Sequence, residues 1–237
     1  MSIQNVDRSA VDVFLKPWQV YQDIIAHNYM FHHEISNAVR NALLDFKTGQ
    51  KLTVLDLGCG DGSMTLTLLP PERIANYIGC DLSKPALDIA QHQIDALGIS
   101  AKLLCDDMLR VVEEQPDQSI DLVLSSYAVH HLNANNKQQL VDHVTRVLKP
   151  DGQFILIDIF REPTEDRAAY MLHYTDAIRK TWNNLSPEAQ DLVVNHATEH
   201  DFPEETAFYQ SFCKKRGLRP GQKLAKHTWH EAWFFRP

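Results

Sequence analysis

The sequence predicts a doubly wound α/β protein: a mostly parallel seven-stranded sheet with helices on both faces, an N-terminal helical cap and a helical lid inserted after the fifth strand. Three observations carry this. Short apolar, β-branched runs alternate with helix-period segments five times between Lys51 and Phe160, and parallel strands need such crossovers, whose right-handed sense sends helices to both faces. A turn rich in glycine, Gly58-Cys59-Gly60-Asp61-Gly62, joins the first of these strands to its helix. After the fifth strand the alternation stops, and Arg161–Asp201 carries apolar residues at helical spacing instead.

The chain has 237 residues, 44% hydrophobic and 23% charged, enough for one folding unit with an elaboration and unlike a disordered composition. A net charge of −8 opposes attraction to phosphate backbones. The one basic cluster, Lys214-Lys215-Arg216 with Arg219, Lys223 and Lys226, reads as a solvated helix end, so no nucleic-acid partner is expected. No apolar run approaches the ~20 residues that cross a bilayer, and MSIQNVDRSAVDVF lacks the pattern of a signal peptide. A cytoplasmic protein with no membrane partner is expected. Cys59, Cys80, Cys105 and Cys213 are isolated and read as reduced thiols, with neither disulfides nor a metal expected.

Val20, Ile24, Phe31, Ile35, Val39 and Leu43 predict one helical face from Pro17 to Phe46, with Pro17 in its first turn and Thr48-Gly49-Gln50 as its end. Lys51–Leu57 is a buried strand, and Ser63–Leu69 a helix closed by Pro70-Pro71. Ala75–Asp81 is the second strand. Lys84–Leu97 is the next helix, stopped by Gly98. Ala101–Cys105 and Ile120–Ser126 are strands three and four. Asn135–Leu148 is an amphipathic helix ended by Lys149-Pro150-Asp151-Gly152, and Gln153–Phe160 is strand five. Glu204–Arg216 is a further helix, and Arg219–Arg236 holds two short strands around Thr228. The domain thus divides into a cap (1–48), a core (49–160), a lid (161–202) and a C-terminal helix with a strand pair (203–237).

In an open α/β sheet a ligand sits beyond the carboxyl ends of the strands, where the glycine turn is. Glycine admits a close backbone approach, and free N–H groups at a helix start favour an anion. Asp61, with no lysine nearby, makes the turn an awkward cradle for pyrophosphate and a better one for an amino-acid carboxylate. Asp56 adds a negative group suited to an ammonium or sulfonium. Asp81, with Leu82 beside it, ends the second strand where a carboxylate can accept from ribose hydroxyls. Asp106 or Asp107 can accept from an adenine amino group while Met108 lies against the ring. A nicotinamide-binding domain would instead want Gly-x-Gly-x-x-Gly and no acid at Asp56.

In order and spacing, DLGCGDG, IGCDLS, CDDM, IDLVLSSYAVHHL and LKPDGQFIL resemble the class I, Rossmann-like S-adenosylmethionine-dependent methyltransferases over Lys51–Phe160. The resemblance implies S-adenosylmethionine as cofactor, with Gly58, Cys59 and Gly60 at its methionine portion, Asp81 at the ribose, Asp107 and Met108 at the adenine, and Ser126 or Tyr127 at the rim near the methyl group. It also implies an N-terminal helix over the cofactor, bringing Tyr21, His27, Tyr29, His32 or His33 toward the site. An aromatic face from Trp18, Tyr21, Tyr29 or Tyr127 can stabilise a sulfonium.

Transfer from a sulfonium is an in-line displacement, for which a protein supplies orientation, exclusion of water and, for some acceptors, a base. His130 and His131, just past strand four, are the candidate bases. The sequence lacks the [Asp/Asn]-Pro-Pro-aromatic run of nucleic-acid N-methylases, a Pro-Cys nucleophile, and an acid at Ser125 or Ser126 to hold magnesium. A small-molecule acceptor, methylated on oxygen, nitrogen or sulfur in a pocket closed by the lid, is therefore expected. Two alternatives stand beside it. One is a non-catalytic S-adenosylmethionine- or S-adenosylhomocysteine-binding protein; the other is a zinc hydrolase using His196, Glu199 and His200, which match His-x-x-Glu-His. Nothing in the sequence sets the oligomeric state.

Overall fold

The computed structural model describes residues 18–237. Its seven-stranded sheet has the order β3-β2-β1-β4-β5-β7-β6, built from β1 (Leu52–Leu57), β2 (Ile74–Cys80), β3 (Ala101–Leu104), β4 (Ile120–Ser126), β5 (Leu148–Ile159), β6 (Gln222–His227) and β7 (His230–Phe235). The first five pair in parallel, and β7 is antiparallel to both β5 and β6.

Both faces are dry because each central strand alternates between two cores. Leu122, Leu124, Ile155 and Ile157 face one cluster, and Val123, Phe154 and Leu156 face the other. On the first face lie α2 (His32–Leu43), α3 (Ser63–Leu68), α4 (Lys84–Ala96) and α7 (Arg167–Thr181). On the second lie α5 (Met108–Glu113), α6 (Ala134–Val147) and α9 (Thr206–Lys215). The strand pair around Thr228 has the expected form, with Thr228 left-handed (φ 50°) in its turn, and Gly98 (φ 64°) closes α4 as a left-handed stop.

Three expectations require correction. The helical face drawn from Pro17 to Phe46 is broken: residues 18–26 (α1) are helical, residues 27–30 turn, and α2 begins at His32. Asn28 and Phe31 take left-handed φ of 55° and 57°. Asn28 stabilises the break because its Oδ1 accepts from the His33 N–H at 2.9 Å and its Nδ2 donates to Glu34 at 2.7 Å; asparagine tolerates this region better than most residues. Pro17, assigned to the first turn, lies outside the described residues. Second, α5 went unread; Asp107 caps it by accepting from the Leu109 N–H at 2.8 Å. Third, Lys149–Gly152 runs into β5, with a slip in the β4–β5 register between Ile120 and Leu122.

Three of the six residues of the basic cluster are paired with acids. Arg216 binds Asp142, while Lys223 and Lys226 reach the buried Glu231 at 3.2 and 3.0 Å. The insertion folds as α7 and α8 (Pro187–His200). α7 is a packed layer, with Tyr170 and Ile178 fully buried, whereas α8 buries only Ala197. No helix among the described residues is long and apolar enough to cross a membrane.

Candidate functional site

β1 and β4 are neighbours whose chains leave toward opposite halves of the sheet, which opens a crevice at their carboxyl ends. There the Gly58 and Cys59 N–H groups both donate to the Cys80 carbonyl at 2.9 Å, drawing the turn over the end of β2. Gly58, Gly60 and Gly62 have φ of 74°, 54° and 76°, a region L side chains resist. A Cβ on Gly58 would lie 2.3 Å from Ala128 Cβ, so only glycine lets β1 turn beneath the loop after β4. A Cβ on Gly60 would meet nothing within 4 Å. The Gly60 N–H donates to Asp81 Oδ2 at 2.9 Å and the Ser83 N–H to Oδ1 at 2.8 Å, which fixes this carboxylate at the rim.

A cavity of about 420 Å³ lies over this turn, walled by Gly58, Gly60, Asp81, Asp106, Asp107 and Met108 below, Ser126, Tyr127 and Ala128 beside, and Trp18 and Tyr21 from α1 above. A second, of about 740 Å³, shares Trp18, Tyr21, Asp81, Leu82, Tyr127 and His131 with the first and extends under α8, past Ile24, Met30, Tyr174, Trp182, Leu192 and Val193. Another hollow, beside Lys47, Asp151 and Arg236, opens at the start of β5, far along the sheet from the glycine turn.

The expected residues divide into those the crevice gathers and those it does not. Asp106, Asp107, Met108, Ser126, Leu82, Tyr21 and Tyr127 line it. Tyr127 is buried with a left-handed φ of 52°, and its hydroxyl donates to the Met30 carbonyl, tying the N-terminal segment to the end of β4. Burial, with Asp61 and Asp81 nearby, pushes the Tyr21 phenol up. Cys59 does not line the crevice: its N–H is held by the Cys80 carbonyl and its thiol belongs to the core. Asp56 lies beneath the turn, where its Oδ2 accepts from Thr65 at 2.7 Å and Tyr77 at 2.8 Å. Burial raises its carboxyl to about 6.

Tyr29 is not at the crevice. It stacks on Trp182 at 5.0 Å and accepts from the Asn184 N–H at 2.7 Å, so it fastens the N-terminal segment to the α7–α8 connection. His27 and His33 are exposed, and His32 is buried against Tyr127, where burial lowers it to about 4.

His130 and His131 meet two acids that spacing did not reveal. His130 is buried; its Nδ1 hydrogen-bonds Asp158 Oδ1 at 2.5 Å, its backbone N–H donates to Asp158 Oδ2 at 2.9 Å, and its Nε2 is 3.5 Å from Asp201 Oδ1. Burial presses its pKa down, but Asp158 and Asp201 outweigh that and leave it raised. His131 is 39% exposed at its side chain, with Nδ1 3.3 Å from Asp201 Oδ1 and 3.2 Å from the His200 carbonyl.

Residues 54–152 match the family described as "Methyltransferase domain". An uncharacterized methyltransferase from Geobacillus thermodenitrificans is 27% identical over 170 residues, covering 68% of this chain and 75% of its own length. A phosphoethanolamine N-methyltransferase from Plasmodium falciparum is 25% identical, covering 84% of this chain and 80% of its own. Among solved structures, an O-methyltransferase family protein from Burkholderia thailandensis superposes with TM-score 0.66 at 15% identity, over 100% of this chain and 63% of its own.

Residues 54–152 thus carry a methyltransferase domain, set in a sheet of the class I, Rossmann-like kind.

The zinc-hydrolase pattern does not assemble. His196 and His200 are neighbours on α8, 5.2 Å between ring centroids, but Glu199 is 71% exposed at its side chain, and among the described residues these three belong to no convergent set of ligand atoms. The described residues whose potential ligand atoms do converge are His130, His131 and Asp201.

Proposed function

We propose that this protein binds S-adenosylmethionine over the Gly58–Gly60 turn and transfers its methyl group to a small molecule held in the adjoining cavity. The observation that carries this is the continuity of the two cavities past Tyr21, Tyr127 and His131. The residues fit the cofactor: the space above Gly60 is open, Asp81 is fixed at the rim for ribose hydroxyls, and Asp106, Asp107 and Met108 stand where a base would lie. Bound there, the cofactor supplies an electrophilic methyl group. Asp56 acts from beneath the turn, as a negative neighbour reached through the floor.

The acceptor cavity is walled mainly by apolar and aromatic side chains, and neither lysine nor arginine lines it. A phosphate-bearing acceptor, such as the Plasmodium relative's name implies for that protein, would lack a countercharge here. An uncharged, largely apolar acceptor fits better. Its reacting group faces the His130–His131 corner, where proton removal takes place, and α7 and α8 exclude water above it. A non-catalytic binding protein would have no use for this second cavity.

Calorimetry tests the reading. S-adenosylmethionine and S-adenosylhomocysteine bind, NAD does not, and Asp81→Ala weakens the first two by about tenfold or more, since a hydrogen bond to a charged group is worth ~1.5–3 kcal/mol. An acceptor screen scored by S-adenosylhomocysteine release follows. Failure of the unmodified protein to bind S-adenosylmethionine would refute the proposal.

A further inference from the structure

We propose that His130 Nε2, His131 Nδ1 and Asp201 Oδ1 form a site for one divalent transition-metal ion of the zinc kind at the inner end of the acceptor cavity. This deepens the function proposed above and rests on its reading of that cavity. One potential ligand atom of each residue lies within 4.8 Å of the other two, and Asp201 Oδ1 is 3.3 Å from His131 Nδ1 and 3.5 Å from His130 Nε2. A tetrahedral ion with bonds of ~2.0–2.2 Å separates its ligands by ~3.3–3.5 Å.

Two further features point to the same position. Asp201 Oδ1 is buried without a hydrogen-bond partner, a costly state for a carboxylate oxygen unless a cation faces it. Asp158 meanwhile holds His130 by Nδ1 and by its backbone N–H. With the ring proton on Nδ1, the Nε2 lone pair faces Asp201, the carboxylate–histidine arrangement that orients metal-ligating imidazoles. In that tautomer Nε2 and Asp201 Oδ1 face each other across 3.5 Å, and an ion between them is a ligand partner for both. His131 must give up its contact with the His200 carbonyl to join. The fourth position opens to the cavity, where an acceptor hydroxyl binding the ion becomes more acidic and releases its proton to solvent, the two imidazoles then serving as ligands rather than as bases. This donor set is distinct from the His196/Glu199/His200 pattern.

The test uses protein freed of any histidine tag, stripped with chelator and titrated with zinc sulfate. One ion binds per chain, Asp201→Asn weakens it by well over ~100-fold, beyond the ~10–100-fold of lost outer contacts, and His33→Ala leaves it unchanged. X-ray absorption of the zinc-loaded unmodified protein shows nitrogen and oxygen ligands without sulfur, a readout needing no variant. Absence of stoichiometric ion overturns the site. So does binding that survives Asp201→Asn but vanishes in His196→Ala/His200→Ala, which would place the ion on α8. S-adenosylmethionine calorimetry on the same samples separates the two proposals: cofactor without ion refutes the metal site alone, and ion without cofactor refutes the methyl-transfer reading alone.

Discussion

Gly58 and Gly60 share a left-handed backbone yet do different work. Gly58→Ala adds a methyl 2.3 Å from Ala128 Cβ, so strain of ~1–2 kcal/mol joins overpacking of ~1–3 kcal/mol, and thermal melts should show a clear loss of stability. Gly60→Ala meets open space and bears only the ~1–2 kcal/mol of strain, while its methyl stands inside the cavity. Cofactor affinity should therefore fall further than stability. Equal destabilisation by the two substitutions would contradict this division. The glycines and the rim acids were legible because they sit together in local runs. Asp158 and Asp201 were not, since His130 finds the first 28 residues away and the second only where α8 ends, and no local spacing encodes such a meeting.

The elements most readily legible were the strands, short apolar runs bounded by glycine or proline. The break after α1 was hidden because Ile24, Phe31 and Ile35 keep helical spacing across it and neither proline nor glycine marks it. α5 was hidden by its length: Met108–Glu113 is too short to display a period. The corrected path of the N-terminal segment gives Tyr29 a structural task. Tyr29→Ala removes its stacking on Trp182 and its bond to Asn184, and should speed proteolysis between α7 and α8 several-fold while leaving S-adenosylmethionine affinity within about twofold, because Tyr29 does not line the cofactor cavity. A large affinity loss with unchanged proteolysis would return Tyr29 to the site.

Across the whole molecule, two buried histidines, His32 and His230, make the fold sensitive to acid, while His130, held raised by its acids, works against them. Burial lowers His32 to about 4 and His230 to about 3 from an ordinary 6.5. Below pH 6.5 the unfolded chain takes up protons that these folded rings refuse, so stability is lost as pH falls from 6.5 toward 4. For His32 the loss is on the order of 3 kcal/mol. Asp56, raised to about 6 by burial, works in the opposite sense between 6 and its usual 3.8 and offsets part of it. Melting temperature should therefore drop between pH 7 and 4, and His32→Leu should flatten that slope; an identical profile in the variant would refute the assignment.

The antiparallel partner of β5 is β7, at His230–Phe235. While the chain is being synthesised, β5 thus presents an unpaired strand edge until the hairpin of β6 and β7 has emerged from the ribosome. Nascent or truncated chains lacking residues 222–237 carry that edge uncovered, a template for mispairing with another chain.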